Sequence, residues 1–427
     1  MATFAAVLLL LTQDPLVVVS ATARGEPTRV HVVFSKPVDE ASAETAANYS
    51  IEPGVKVESA SRALDLRTVT LVVSPLSEGV AYSLAVRNVK DCGTPPAAVA
   101  ETRKPFAFVK GLFGAGAPKE EGKGRAIPKF KQPLMFNTPE ADAVLAALQV
   151  FPKNNPWNED ITKRPVHPDS AKIVASVGAD KTLAYNWDMA FILVPPDQPR
   201  IEVKMARYEG ESDKGPYPVP DNAPIEGWPV DGRTLADAQV RGGSDRHMIV
   251  VDPHAGMLYE FFVAFKRPGG WESSGEATFD LKSNKMRPRG WTSSDAAGLP
   301  IFASLPRFDE CEAGVVAHAL RVTVSRTRRE FIYPARHQAG SSDAPTVPAM
   351  GQRFRLKAST DLSGFGRHAR AIAEALKKHG MFVADNGGDW QISLPPDRRL
   401  TGLEALRRLK GSDFEVVLTT GESDLGR

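Results

Sequence analysis

Carboxylates, histidines and tryptophans crowd one region of this sequence. Residues 290 to 337 read GWTSSDAAGLPIFASLPRFDECEAGVVAHALRVTVSRTRREFIYPARH. That places Trp291, Asp295, Asp309, Glu310, His318, Arg321 and His337 between two β-rich runs. A segment with only a core to fill has little use for so many ionisable groups beside turn residues. The chemistry they support best is acid–base work by paired carboxylates. Glycosidases set two such groups about 5 to 9.5 Å apart across the scissile bond. Asp295 sits in a small-residue turn, SSDAAGLP, open to close approach. Asp309 and Glu310 follow the strand-like LPRFDE and are its expected partners. His318 and His337 are expected to orient or polarise. Glu226, Trp228, Trp271, Trp291, Arg321 and Asp385 are the expected substrate contacts, with the indoles as stacking platforms for sugar rings. Plainer roles exist for each: Asp295 can cap its turn, Asp309 can pair with Arg307 or Arg321, and His318 can sit satisfied in a β-core.

Two other chemistries fit less well. A polysaccharide lyase needs a neutraliser and a base, and His318 and Arg321 are the natural choices. On a strand, however, residues three apart face opposite ways. A metal site could draw on His247, His318 and His337 with Asp245, but the spacing matches no metal motif. No metal and no cofactor is assigned. Neither a glycine-rich phosphate loop nor a G-x-S-x-G elbow is present. The expected partner is a polysaccharide or oligosaccharide.

The elements that would position these groups read as mainly β. Hydrophobic content of 42% and charged content of 24% suit a globular chain, and 427 residues allow two or three domains. Lys plus Arg at 53 against Asp plus Glu at 51 leaves no concentrated basic face for nucleic acid. Cys92 and Cys311 lie far apart and form no zinc spacing; free thiols are expected, with one long-range disulfide as the alternative. The apolar run at 4–11, FAAVLLLL, is too short to span a bilayer and is similar to the hydrophobic part of a secretory signal. The expected location is therefore secreted or cell surface, with no membrane span.

Short strand-like runs at 16–23, 29–35, 56–63, 68–74 and 81–89, parted by turn residues, predict a β-sandwich over 14–108. Residues 109–133 are a linker rich in Gly, Pro and Lys. Residues 134–427 predict a large antiparallel β-rich domain with two or three peripheral helices. Helices are expected at 138–148, 170–177 and 365–379, with a last one from Thr401 to about Leu409. Hairpins are expected at 245–271 and, around Asn386-Gly387, at 381–394. The proline-rich loop 211–232 carries Tyr217, Glu226 and Trp228 and is long enough to be functional.

Two stretches carry a resemblance. RVHVVFSKPVDEASAETAANYSI (29–51) resembles the bacterial Ig-like domains of secreted and cell-surface enzymes, which implies an accessory module. NPWNEDI, ESDKGPYPVPDNAPIEG, DRHMIVVD, GWTSSDAAGLPI, RFDE, HALR, YPARH, MGQRFRLKAS and ADNGGDW together resemble a family of secreted bacterial and fungal proteins without established activity. They are often joined to carbohydrate-binding or Ig-like modules. The resemblance spans about 270 residues from Asn154 onward and implies export and a polysaccharide-rich setting. It departs at Cys311, where the pattern implies an aliphatic residue. The resulting expectation is a secreted carbohydrate-active enzyme, a glycoside hydrolase. The alternative is a non-catalytic glycan-binding or adhesion protein.

Overall fold

A computed structural model describes residues 15–24, 27–62, 66–78, 80–100, 102–109 and 126–418. The apolar run at 4–11, most of the expected linker and the end of the last expected strand lie outside these residues. The chain divides into two compact units, residues 1–120 and 121–427. Strand outweighs helix, 30% against 16%, so the fold is mainly β.

In the first unit the run RVHVVF alternates buried and open positions, with Val30, Val32 and Phe34 inward. That period of two is what makes it a strand. Among its described residues seven strands form: β1 (Val18–Arg24), β2 (Arg29–Phe34), β3 (Tyr49–Glu52), β4 (Val57–Arg62), β5 (Thr68–Val73), β6 (Ala81–Val86) and β7 (Thr102–Val109). Their order is β3-β6-β7-β1-β2-β5-β4, and the halves meet where β1 pairs in parallel with β7 over two residues. Both halves bury alternate residues in one core, which makes the unit a sandwich. The sequence reading omits β3 and β7. The first is four residues long, and the second carries Arg103, Lys104 and Pro105, which interrupt an apolar alternation. His31 sits at the core edge, hydrogen-bonded to Thr70 at 3.1 Å.

The described residues of the second unit form three sheets, all mixed. The first is five-stranded, built from β8 (Leu134–Met135), β10 (Phe191–Leu193), β12 (Met248–Asp252), β13 (Met257–Phe262) and β16 (Gly275–Asp280). The second has three strands, β11 (Val203–Met205), β14 (Phe265–Arg267) and β15 (Gly270–Ser273). The third has six: β9 (Ala184–Trp187), β17 (Leu320–Val324), β18 (Arg353–Leu356), β19 (Met381–Asn386), β20 (Gln391–Leu394) and β21 (Phe414–Val417). Parallel pairings β10/β12, β11/β15, β17/β19 and β20/β9 stand among antiparallel ones.

The hairpin of β12 and β13 forms as its sequence suggests, because Asp252 closes the turn by accepting from the Ala255 and Gly256 amides. It does not run on to residue 271. Val263 takes a positive φ of 55°, and Phe265–Arg267 leaves for the three-stranded sheet.

The expected hairpin at 381–394 is corrected more deeply. β19 and β20 do not pair with each other, because β17 lies between them, parallel to β19 and antiparallel to β20. The chain at 387–390 wraps the end of β17. The Gly387 amide donates to Val324 O, and Thr323 Oγ1 donates to Gly388 O. Local turn chemistry is the same for a hairpin and for this wrap, so only the long-range partner tells them apart.

Among the described residues of this unit five α-helices form: α2 (Pro139–Leu145), α3 (Ser170–Val177), α4 (Leu235–Val240), α5 (Phe308–Ala313) and α6 (Arg367–Lys378). They follow one short helix of the first unit, α1 (Glu40–Ala43). Thr138 caps α2 with Pro139 at its first turn, as the sequence predicts. The N-cap of α6 is Gly366, and the upstream Asp361 and Ser363, either of which its sequence offers as a cap, bond each other. The helix expected from Thr401 is a short 3-10 turn over Leu403–Arg408, entered through Gly402 with φ 68°. α6 buries Ala369, Ile372, Ala373 and Leu376 against the six-stranded sheet. Gly380 reverses the chain into β19 at φ +70°, and a Cβ there would lie 2.3 Å from Phe354 O. Gly380→Ala should therefore cost about 1–3 kcal/mol or more, read as a lowered urea midpoint with an unchanged slope.

Candidate functional site

One face of the six-stranded sheet is polar although it is covered. Ser393 on β20 lies opposite Asn186 on β9, and the Arg321 guanidinium of β17 donates to the Ser393 hydroxyl. Alternation carries the same face to Asp188, just past the end of β9. Asp385 near the end of β19 pairs in register with Thr323. Apolar neighbours on the other face, Val322, Ile392 and Leu394, join the core.

The turn 291–299 closes over this face. The Asp295 amide donates to Ser293 Oγ, and that hydroxyl donates to Leu299 O at 2.7 Å. The Ala297 amide donates to Ala384 O, which fastens the turn to β19. Gly298 at φ +71° is required, since a Cβ would lie 2.6 Å from Trp291 O. Asp295 is thereby delivered to Arg321. Arg321 Nε reaches Asp295 Oδ2 at 2.7 Å and Nη2 reaches Oδ1 at 2.6 Å. Asp295 is 0% exposed and Arg321 3%. Burial works against the guanidinium charge, yet the Asp295 carboxylate outweighs it and raises the Arg321 pKa. A fork-to-fork pair of this kind leaves neither oxygen of Asp295 free.

From the other side comes the loop 225–228. Glu226 Oε2 is hydrogen-bonded to His247 Nδ1 at 3.0 Å and accepts from the His247 amide at 3.2 Å. His247 Nε2 bonds Ser294 O at 2.9 Å. Burial pushes this imidazole down, but the bond and charge of Glu226 win and lift its pKa to about 9. His247 is therefore an imidazolium at neutral pH. Beneath it, the buried Glu260 accepts the Ile301 and Phe302 amides at 3.0 and 2.8 Å; burial still raises its pKa to about 7. The backbone O of Asp188 accepts from the Gly227 amide. Burial and then the Glu226 charge raise the Asp188 pKa to about 6. Burial and then Asp295 push Asp385 up as well. His337 meets the same turn through Nδ1, bonded to Ala296 O at 2.8 Å.

Glu226, Asp295, Arg321, His337 and Asp385 thus converge. Trp228 and Trp291, both half-buried, flank them two residues after Glu226 and four before Asp295. Other expected residues lie elsewhere. Asp309 and Glu310 do not end a strand; they begin α5, where carboxylates suit the helix N-terminus. Glu310 accepts the Arg307 amide at 3.2 Å and pairs with Arg307 Nη2 at 2.7 Å and His318 Nε2 at 3.2 Å. Asp309 lies 3.5 Å from Arg307 and is driven upward in pKa by burial. His318 precedes β17 and turns to this second cluster, while Arg321 turns to Asp295. The pairing of Asp295 with Asp309 or Glu310 is therefore replaced by two separate ion-pair clusters.

Trp271 is buried on β15 in the core beneath the three-stranded sheet, and Tyr217 of the proline-rich loop joins it there. Neither is a surface platform. Asp245 is exposed while His247 is buried, because Arg246 between them takes φ 47° and breaks the strand alternation. No group of three His, Cys, Asp or Glu among the described residues is arranged to hold a metal. Cys92 and Cys311 are both free thiols.

Sequence reasoning missed Asp188, Ser294 and Glu260, and it weighed His247 only as a ligand. The signal for Asp188 was present in Asn186-Trp187-Asp188, two polar residues at strand spacing before an apolar strand. Glu260 carried no signal, since a lone acid inside LYEFF looks like a solvent-facing position.

No family model matches this chain, and no curated protein is significantly similar to it. Solved structures with local likeness include the bacterial S-layer protein SbsC, domains 1–6, and the N-terminal part of the same protein. Both are 25% identical over 23% of this chain at a TM-score of 0.21. The overlap spans 14% and 24% of those two chains. CopC from Methylosinus trichosporium OB3b is 18% identical over 22% of this chain and 92% of its own, at a TM-score of 0.15. No helix among the described residues is long and apolar enough to cross a membrane.

Proposed function

We propose that this is a secreted or cell-surface protein whose second unit binds a glycan without cleaving it. The observation that carries the reading is the buried, bidentate Asp295–Arg321 pair. A carboxylate with both oxygens held by one guanidinium is not available for acid–base work on a glycosidic oxygen. Glu310 and Glu226 are likewise occupied by cationic partners. Beside the cluster, Trp228 and Trp291 keep the partial exposure that a stacking surface needs, whereas Trp157, Trp271 and Trp390 are core. The resemblance of residues from Asn154 onward to secreted proteins joined to carbohydrate-binding modules supports export and a polysaccharide partner.

The test is calorimetric titration of the full chain with neutral and uronic hexasaccharides, beside a reducing-end assay on the same sugars. Binding without new reducing ends is the expected result. Trp228→Ala should weaken it roughly tenfold, in line with the loss of one aromatic contact. Heat-free titrations with every hexamer would discard the reading.

A second reading, glycoside hydrolysis, draws on Asp188 and Asp385. Both are half-buried and both have pKa values raised by burial, so either can hold a proton near neutral pH as a general acid must. New reducing ends that disappear in Asp385→Asn would establish this reading over the first.

A further inference from the structure

The polar face leaves two hydrogen-bonding atoms unused. Asp188 Oδ1 and Ser294 Oγ are buried atoms with no hydrogen-bond partner. Ser294 is only 4% exposed. A buried polar atom left unmatched costs about 1–3 kcal/mol, so such atoms are normally satisfied by water or ligand. These two belong to one neighbourhood. Asp188 O is bonded to the Gly227 amide, Glu226 beside it is bonded to His247, and His247 Nε2 is bonded to Ser294 O. Every other polar side chain in that chain of contacts has a partner. The pair is chemically complementary to hydroxyls: a carboxylate oxygen accepts, and a serine hydroxyl both donates and accepts.

Charge narrows the ligand. The carboxyl groups of Asp188, Glu226, Glu260, Asp295 and Asp385 face the cations of His247 and Arg321, and those cations are bonded to Glu226 and Asp295. Both of these cations are thus taken up by carboxylates, and neither is left to receive an acidic sugar. A uronate or sulfate brought here would add a negative charge to a cluster that already sets five carboxyl groups against two cations, which is unfavourable at short range. Trp228, two residues from Glu226, supplies the apolar surface that a sugar ring requires.

We propose that Asp188 and Ser294 form a hydroxyl-binding subsite for an uncharged sugar of a neutral polysaccharide. This rests on the glycan-binding reading and specifies where the sugar sits and of which class it is. Asp188→Asn and Ser294→Ala are suitable probes because each changes an atom that no protein group hydrogen-bonds, so both variants should keep the wild-type circular dichroism spectrum.

The full chain is titrated with cellohexaose, xylohexaose, mannohexaose, oligogalacturonate and alginate hexamers. Binding to a neutral hexamer, weakened roughly tenfold by Asp188→Asn and by Ser294→Ala, is the expected result. Neutral binding that both variants retain, but that Trp228→Ala loses, overturns the subsite and leaves the glycan-binding reading standing. Preference for the uronic hexamers overturns the neutral class. Absence of binding to all five removes the subsite together with the reading beneath it.

Discussion

Arg321→Met should cost the second unit about 3–5 kcal/mol of unfolding free energy, because it strands Asp295 as a buried charge without a partner. The pair contributes little net stability relative to an apolar couple, since both ions were stripped of water to make it. The double variant Arg321→Met/Asp295→Leu should therefore regain much of the loss, at least about 2 kcal/mol relative to the single change. Urea unfolding followed by tryptophan fluorescence reads this unit alone, as all six tryptophans lie beyond residue 121. A single variant within about 1 kcal/mol of wild type would mean that Asp295 finds water or another donor, contrary to its 0% exposure.

Stability of the same unit should fall as pH rises from about 6 to 9. His247 carries a folded pKa of about 9 against 6.5 in a free chain. Its contribution is complete below 6.5 and disappears as pH climbs through 9. At roughly 1.4 kcal/mol per pH unit, that interval is on the order of 3 kcal/mol. Glu260 acts in the same direction at lower pH. Its folded pKa of about 7 exceeds the ordinary 4.5, so the native state favours the proton, and that preference is lost between 4.5 and 7. Urea midpoints at pH 6, 7.5 and 9 measure the slope. Glu226→Gln should flatten the alkaline part and leave the acid part in place. Equal midpoints at pH 6 and 9 in the wild type would refute the Glu226–His247 coupling.

Much of the architecture was legible in local pattern. The alternation in RVHVVF and TVTLVV, the Thr138-Pro139 cap and the apolar stripe of 367–378 each report a short-range preference that the fold keeps. Failures came where two local signals competed or where the partner was remote. LPRFDE looked extended through Leu305 and Pro306, yet the Glu310 carboxylate on the Arg307 amide starts a helix. Asn386-Gly387 carried the strongest turn signal in its neighbourhood, and the turn is there. What no turn signal encodes is that β17, from some sixty residues earlier, fills the space between the strands it joins.

The candidate residues divide along the same line. Composition and order alone marked out the acids, histidines and tryptophans between Glu226 and Asp385, and they placed Asp295 in a tight turn. They could not assign partners, because an ion pair is decided by distance through space, and Asp295 and Arg321 are separated by 26 positions along the chain. Register decided the rest. A period of two sends Arg321 and Ser393 to one face and Val322 and Ile392 to the other, while His318, outside the strand, goes to Glu310. The sequence by itself determined which chemistry was present and the mainly β character of the elements that carry it. Only the tertiary structure decided which charges cancel, which are buried, and which buried polar atoms are left without a hydrogen-bond partner, since burial and pairing are properties of surfaces brought together by folding.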